Sequence, residues 1–271
     1  MSLTHESLHR SATASIAVVH CRPLDHSCGP DECSPANRVA FPLRGTFLKH
    51  HSQRHRVVAD PSHAIFFAAH QPYRVSHPGP GGDDCLVIEP SCMSLWEVLD
   101  ADEFPHSHAV LDAHLIGASR LVWHRLRHGL ATPLEADETA LHLLAGTTNA
   151  LPPPTISARR TRDMVEATRI TLATEPGERW SLDTLARRVH SSPFYLARTF
   201  RRLVGMPLHR FQLQGRMAAA LVQVLDSSLE LSAIGLEMGF SSHSHFTSTF
   251  RRAFGVTPAA LRKEGKILTA F

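Results

Sequence analysis

The sequence predicts two domains of different class: an antiparallel β domain with a helical tail, then an all-helical domain. Three observations predict this. Up to about residue 90, short apolar segments alternate with Gly, Pro, Asp and His. Beyond residue 94 the apolar residues recur every three or four positions, which is the helical period. Between residues 151 and 155 the chain reads Leu-Pro-Pro-Pro-Thr, and consecutive prolines donate no backbone N–H and hold an extended conformation. We therefore expect domains at 1–150 and 159–271, joined by a linker at 151–158.

In the first domain the apolar segments at 15–21, 38–43, 46–50, 56–59, 64–68, 73–77 and 85–89 predict seven short strands in an antiparallel sandwich or barrel. The Gly- and Pro-rich stretch at 77–84 is expected as a loop between two of them. Helices are expected near 94–99, 110–128 and 134–147. In the second, Leu111, Leu115, Ala118, Val122 and Leu126 make an apolar stripe. That stripe either packs on the domain's own sheet or serves as the interface of a homodimer. After the linker every segment reads as helix, giving a bundle of about seven. Ser181, Ser192, Ser232 and Thr257 are placed to cap helix starts, with Pro193 and Pro258 following two of them. Gly205, Gly239 and Gly255 mark helix ends.

The 271 residues are 43% hydrophobic and 20% charged, which suits globular domains and excludes collagen-like or disordered polymers. Apolar runs such as 64–69 fall far short of the roughly 20 residues that a membrane helix needs. Five cysteines, all before residue 93, do not resemble a disulfide framework. The expectation is a soluble cytoplasmic chain with reduced thiols and no membrane segment. The net charge of +3 conceals an asymmetry: residues 1–154 carry 11 basic and 16 acidic side chains, the rest 17 and nine. Sixteen of the 20 histidines lie in the first part. A basic helical module beside a His- and Cys-rich one points to a polyanion partner for the former.

An internal repeat sharpens this. Thr199-Phe200-Arg201-Arg202-Leu203-Val204-Gly205 returns as Thr249-Phe250-Arg251-Arg252-Ala253-Phe254-Gly255, and Ser191-Ser192 as Ser241-Ser242. Leu185-Ala186 answers to Ile234-Gly235 with a slip of one residue in the turn. Each unit runs short helix, tight turn, longer helix, the arrangement in which the second helix enters the major groove of duplex DNA. In the first unit, Leu196, Phe200 and Leu203 would face the core. Phe194, Ala197, Arg198, Arg201 and Arg202 are then left for bases and phosphates. In the second, Phe246, Phe250 and Phe254 form the core stripe, leaving His243, Ser244, Thr247, Ser248, Arg251 and Arg252. Arginine can fork onto guanine, and the paired arginines near the helix ends suit phosphates, which position without specifying.

Residues 160–264 resemble the DNA-binding domain of the AraC/XylS family of transcription regulators. The resemblance is carried by Ile234, Gly235, Gly239, Phe240, Ser241, Ser242, Phe246, Phe250, Gly255, Thr257, Pro258 and Arg262. It implies two helix-turn-helix units on a long shared helix at about 208–225, with base contacts on Phe194, Ala197, Arg198, His243, Ser244 and Ser248. Gly235 in place of a usual alanine, Ala197 and Ser248 depart from the family pattern and bear on which sequence is preferred. The resemblance further implies that residues 1–150 form a cupin-like barrel that binds an effector and dimerises, and that RNA polymerase is a partner if the protein is an activator.

Thiol and imidazole groups crowd two segments of the first domain: Cys21, His26, Cys28 and Cys33, and His77, Cys85 and Cys92. Thiolate and imidazole suit Zn²⁺ or another thiophilic metal. We name Cys28, His77 and Cys85 as first ligands, with His26 or Cys33 completing the set; redox-responsive thiols and purely structural residues are the other readings. The rival function is a cupin-type metalloenzyme with an accessory nucleic-acid-binding domain. The expected HxH pattern on a strand is missing, as are a nucleophile elbow and a phosphate-cradling glycine loop, so no catalytic residue is assigned.

Overall fold

The computed structural model describes residues 2–23, 29–51, 56–79, 81–91, 104, 107–148 and 159–264. The expected helix at 94–99 and the linker at 151–158 lie outside them. Ten strands are described: β1 (Ser2–Arg10), β2 (Ala14–Arg22), β3 (Glu32–Cys33), β4 (Arg38–Gly45), β5 (Phe47–His50), β6 (Arg56–Ala59), β7 (His63–Phe67), β8 (Pro72–Ser76), β9 (Asp83–Pro90) and β10 (His108–Val110). They form a six-stranded sheet in the order β1-β2-β9-β4-β7-β10 and a four-stranded sheet in the order β3-β8-β5-β6. All seven expected strands are present. The described strands make two antiparallel sheets, and a closed cupin-like barrel is not seen among them.

Strand alternation explains the layers. From β2, β4, β7 and β9, residues including Ile16, Val18, Phe41, Leu43, Phe66, Leu86 and Ile88 point to one face of the six-stranded sheet. Helices α1 (Ala113–Arg127) and α2 (Pro133–Thr148) cover that face. The other face sends Ala40, Ile65 and Cys85 toward Phe47, Val57 and Ala59 of the smaller sheet. Helix α1 begins at Asp112, whose carboxylate accepts the Leu115 N–H at 2.9 Å. Its stripe resolves the open choice: Leu115, Ala118 and Val122 are buried in the same core as the sheet, so they are not a free subunit interface.

Seven helices follow among the described residues: α3 (Arg159–Thr174), α4 (Leu182–Arg188), α5 (Pro193–Val204), α6 (Leu208–Asp226), α7 (Leu231–Glu237), α8 (His243–Phe254) and α9 (Pro258–Glu264). Two apolar clusters hold them. Met164, Leu172, Leu185, Leu196, Phe200 and Phe211 form the first; Met217, Leu221, Ile234, Phe246, Phe250 and Phe254 belong to the second. Helix α6 runs through both, and its Ala218 and Val222 join the core of the β domain. Polar contacts reinforce this seam. Gln214 donates to the Leu111 carbonyl at 2.8 Å, and Asp226 meets His124 at 3.0 Å and Arg44 at 3.4 Å. Further along it, Asp60 and Arg169 form a buried pair at 2.8 Å.

One core residue carries an unfavourable charge. Lys49 on β5 is 2% exposed, donates to the Phe66 carbonyl and sits 4.1 Å from the Phe67 ring. Burial lowers its pKa to about 7. A lysine whose folded-state pKa lies below its unfolded value costs stability as pH falls from about 10 toward 7, because only the unfolded chain takes the proton there. Lys49→Met is therefore expected to stabilise the protein by about 1–4 kcal/mol at pH 7, with the gain fading by about pH 10. Thermal melts of parent and variant at both pH values check this, and a variant less stable at pH 7 would refute it.

Candidate nucleic-acid interface

Both repeat units fold as two helices around a tight turn, and the same local chemistry builds each. In the first, Ser181 and Thr184 cap α4 reciprocally, Ser192 accepts the Tyr195 N–H, and Pro193 opens α5. In the second, Ser242 accepts the His245 N–H to start α8. Gly205 and Gly255 end α5 and α8 at φ of 80° and 75°. Thr257 accepts the Ala260 N–H at the start of α9. Ser232 is not a cap: α7 starts one residue earlier, with Glu230 at the cap position and no side-chain hydrogen bond there.

The turns show how the repeat slips by one residue. Ser191 N–H donates to Ala186 and Phe240 N–H donates to Gly235, both at 2.9 Å, so these are equivalent positions. Just before them, His190 and Gly239 adopt φ of 50° and 78°. The second unit then inserts one further residue before its capping serine. Ser241 is that residue, and Phe240, the counterpart of Ser191, is 2% exposed with its ring 5.5 Å from that of Phe246. Gly235 has a packing reason as well: a Cβ there would lie 3.0 Å from the Phe246 Cβ, tighter than side chains ordinarily pack. The departure from alanine thus goes with close approach of α7 to α8.

Every predicted reading residue is on α5 or α8. Leu196 and Phe200 are fully buried and Leu203 partly so; Phe246, Phe250 and Phe254 are buried. On the opposite side of α5, Phe194, Arg198, Arg201 and Arg202 are exposed and Ala197 is half-buried. On α8, His243, Ser244, Ser248, Arg251 and Arg252 are exposed and Thr247 is half-buried. Neither helix carries an acidic residue. Phe194 is 75% exposed, an uncommon state for a large aromatic with no partner to cover it. It lines a groove with Ala197, Arg198, Arg201, Arg202 and His209. The sequence did not indicate that the β domain reaches the second unit: Leu111, Ala113 and Ile116 share a cavity of about 490 Å³ with Thr249, Arg252 and Phe254.

The expected metal ligands are differently placed. His26 and Cys28 lie outside the described residues, as does Cys92. Cys33 is exposed on β3, in the smaller sheet. His77 and Cys85 do converge, but through Asp83, which sequence reasoning passed over: His77 Nε2 is 2.6 Å from Asp83 Oδ1, and the Cys85 thiol donates to Asp83 Oδ2 at 3.1 Å. Cys21 joins them. Burial opposes the charge on His77, but hydrogen bonds to Asp83 and Cys21 outweigh it and raise its pKa to about 9. Burial and the facing Asp83 carboxylate push the Cys85 thiol well up.

Comparison with known proteins agrees with the helical geometry. A family model described as "Helix-turn-helix domain" matches residues 185–264. The HTH-type transcriptional regulator MtrA of Neisseria gonorrhoeae is 34% identical over 94 residues, 34% of this chain and 30% of that protein. The probable transcription factor PqrA of Proteus vulgaris is 31% identical over 84 residues, 31% of this chain and 69% of that protein. A solved transcriptional regulator with an AraC-type DNA-binding domain, from Chromobacterium violaceum, is 28% identical and covers 40% of this chain and 94% of that one, with a TM-score of 0.35. The chain thus spans under a third of MtrA, and the matches to MtrA and PqrA each span about a third of this chain.

Proposed function

Because the chain belongs to the AraC/XylS family of transcription regulators, we propose that it is a sequence-specific regulator that reads duplex DNA with α5 and α8. The reading extends to an effector sensed by the N-terminal domain, which would set how the two helices are presented, and to transcription regulation in place of enzyme activity. The observation that carries the DNA reading is the duplicated unit. Two capped 12-residue helices each bury an apolar stripe and expose a pair of arginines near the C-terminal end, Arg201-Arg202 on α5 and Arg251-Arg252 on α8. Both units pack on α6. Phosphate contacts then fall to the arginine pairs at the helix C-terminal ends, and base contacts to the residues nearer the N-terminal ends.

The sensor reading is supported by the seam. The β domain shares core residues with α6, holds α3 by buried charge and lies beside the end of α8. A signal that changed the β domain would act on the reading helices only by favouring one of two arrangements. Arg198→Ala is expected to cost roughly 1–3 kcal/mol on the preferred site and to relax base choice at one position, whereas Arg202→Ala weakens every duplex about equally. Fluorescence anisotropy with the preferred and a scrambled duplex at matched salt reads both. If neither substitution changed binding, the assignment of α5 would fail. Equal affinity of the parent for both duplexes would instead favour an architectural binder.

A further inference from the structure

We propose that Cys21, His77, Asp83 and Cys85 form a tetrahedral site for a thiophilic divalent cation of the zinc class inside the N-terminal domain. The inference deepens the sensor reading and does not depend on DNA binding. Sheet register brings three of the four together. Cys21 pairs with Asp83 and Val19 with Cys85 across β2 and β9, and residues two apart on a strand share a face. Cys21, Asp83 and Cys85 therefore project from one side of the large sheet, toward the small one, where they line a cavity of about 260 Å³. His77 arrives from the other sheet, just past the end of β8.

The donor atoms of Cys21, His77 and Asp83 all lie within 4.8 Å of one another, and Cys85 Sγ is 3.1 Å from Asp83. Donors around tetrahedral zinc are about 3.3–3.8 Å apart, given bonds of about 2.0–2.3 Å. Cys21, His77 and Asp83 thus need shifts on the order of 1 Å to close on a cation, and Cys85, outside that trio, brings its thiol in from the Asp83 carboxylate to which it now donates. All four residues are 5% exposed or less. Two thiolates, one carboxylate and a neutral imidazole make a set that zinc favours and that magnesium and calcium do not. Binding would displace the protons now shared within the cluster, so it releases protons to solvent. A path to the second domain is short: Asp83 pairs with Gly45, and the adjacent Arg44 reaches Asp226 on α6.

The test uses the full chain without a histidine tag, stripped with chelator and titrated with Co²⁺ or Zn²⁺ alone. One equivalent of Co²⁺ should give a thiolate-to-cobalt charge-transfer band, and Zn²⁺ should raise the melting temperature. Cys21→Ser and Cys85→Ser should each weaken cobalt binding by about tenfold or more, while Cys33→Ser leaves it unchanged. Circular dichroism shows that each variant is folded; for one that is not, the zinc-dependent melting shift of the parent and of the other variant decides. Absence of the band and of the shift in the parent overturns the proposal. So does an equal loss in Cys33→Ser. A chain that binds DNA but no metal fails this inference alone, and one that takes metal but no DNA fails only the reading above.

Discussion

Arg169→Ala should destabilise the chain by about 3–5 kcal/mol at neutral pH, the cost of stripping the cation from a buried carboxylate. Arg169 on α3 reaches into the β domain, where its Nη2 is 2.8 Å from Asp60 Oδ2 and donates to the Val58 carbonyl at 2.7 Å. Asp60 is 1% exposed and also accepts from the backbone and hydroxyl of Ser62. Burial works against the charged form of Asp60, but His63, Arg169 and Ser62 around it prevail and hold its carboxyl well below the usual range. Burial and the same arginine keep the His63 pKa below its ordinary value. A carboxyl depressed in the folded state contributes stability above its unfolded pKa of about 3.9 and loses it as pH falls through the folded value. The gap between parent and variant should therefore be widest from about pH 5 upward and narrow in acid. Urea denaturation at pH 7 and in acid measures it. A loss under about 1 kcal/mol at pH 7, within the range of ordinary surface changes, would sink the account.

Phe250→Ala comes next, with an expected cost of about 3–5 kcal/mol. The side chain is fully buried, its ring 5.7 Å from Phe246 and 4.7 Å from Phe254, and it ties α8 to α6 and α7. Its removal leaves a cavity in the apolar cluster that α6, α7 and α8 share. Affinity for the preferred duplex should collapse, with exchange protection lost first across 231–261, while strands of the β domain stay protected. Hydrogen exchange with mass spectrometry reads this directly. Unaltered protection in α7 and α8 would mean that the second unit does not depend on its aromatic stripe.

Much of the fold was legible because periodicity reports burial. Seven strands were found from alternating or continuous apolar runs, and the bundle from caps and 3.6-residue spacing. β1 was missed because Ser2–Arg10 is a largely exposed edge strand with little apolar content, hydrogen-bonded in the sheet to β2 on one side only. β10 has three residues, too few for a period. Ser232 misled because a serine near a helix start resembles a cap whether or not it occupies the cap position. The reading helices and their exposed residues followed from the repeat, where one helical face decides everything. The Cys and His cluster was only half legible: cross-strand register brings Cys21 and Asp83 to Cys85, Cys33 is exposed on the smaller sheet, and Cys28 lies outside the described residues. Nothing local to residue 60 or residue 169 reveals that they meet, since buried charge pairs between domains leave no periodic trace.

Helix α6 has one further implication for anyone dividing this protein into pieces. Ala218 and Val222 face the β domain while Met217 and Leu221 face the second unit, so the helix is oily on two sides. A fragment cut to its basic half would leave one of those greasy flanks wet, inviting clumping that has nothing to do with its affinity for a promoter.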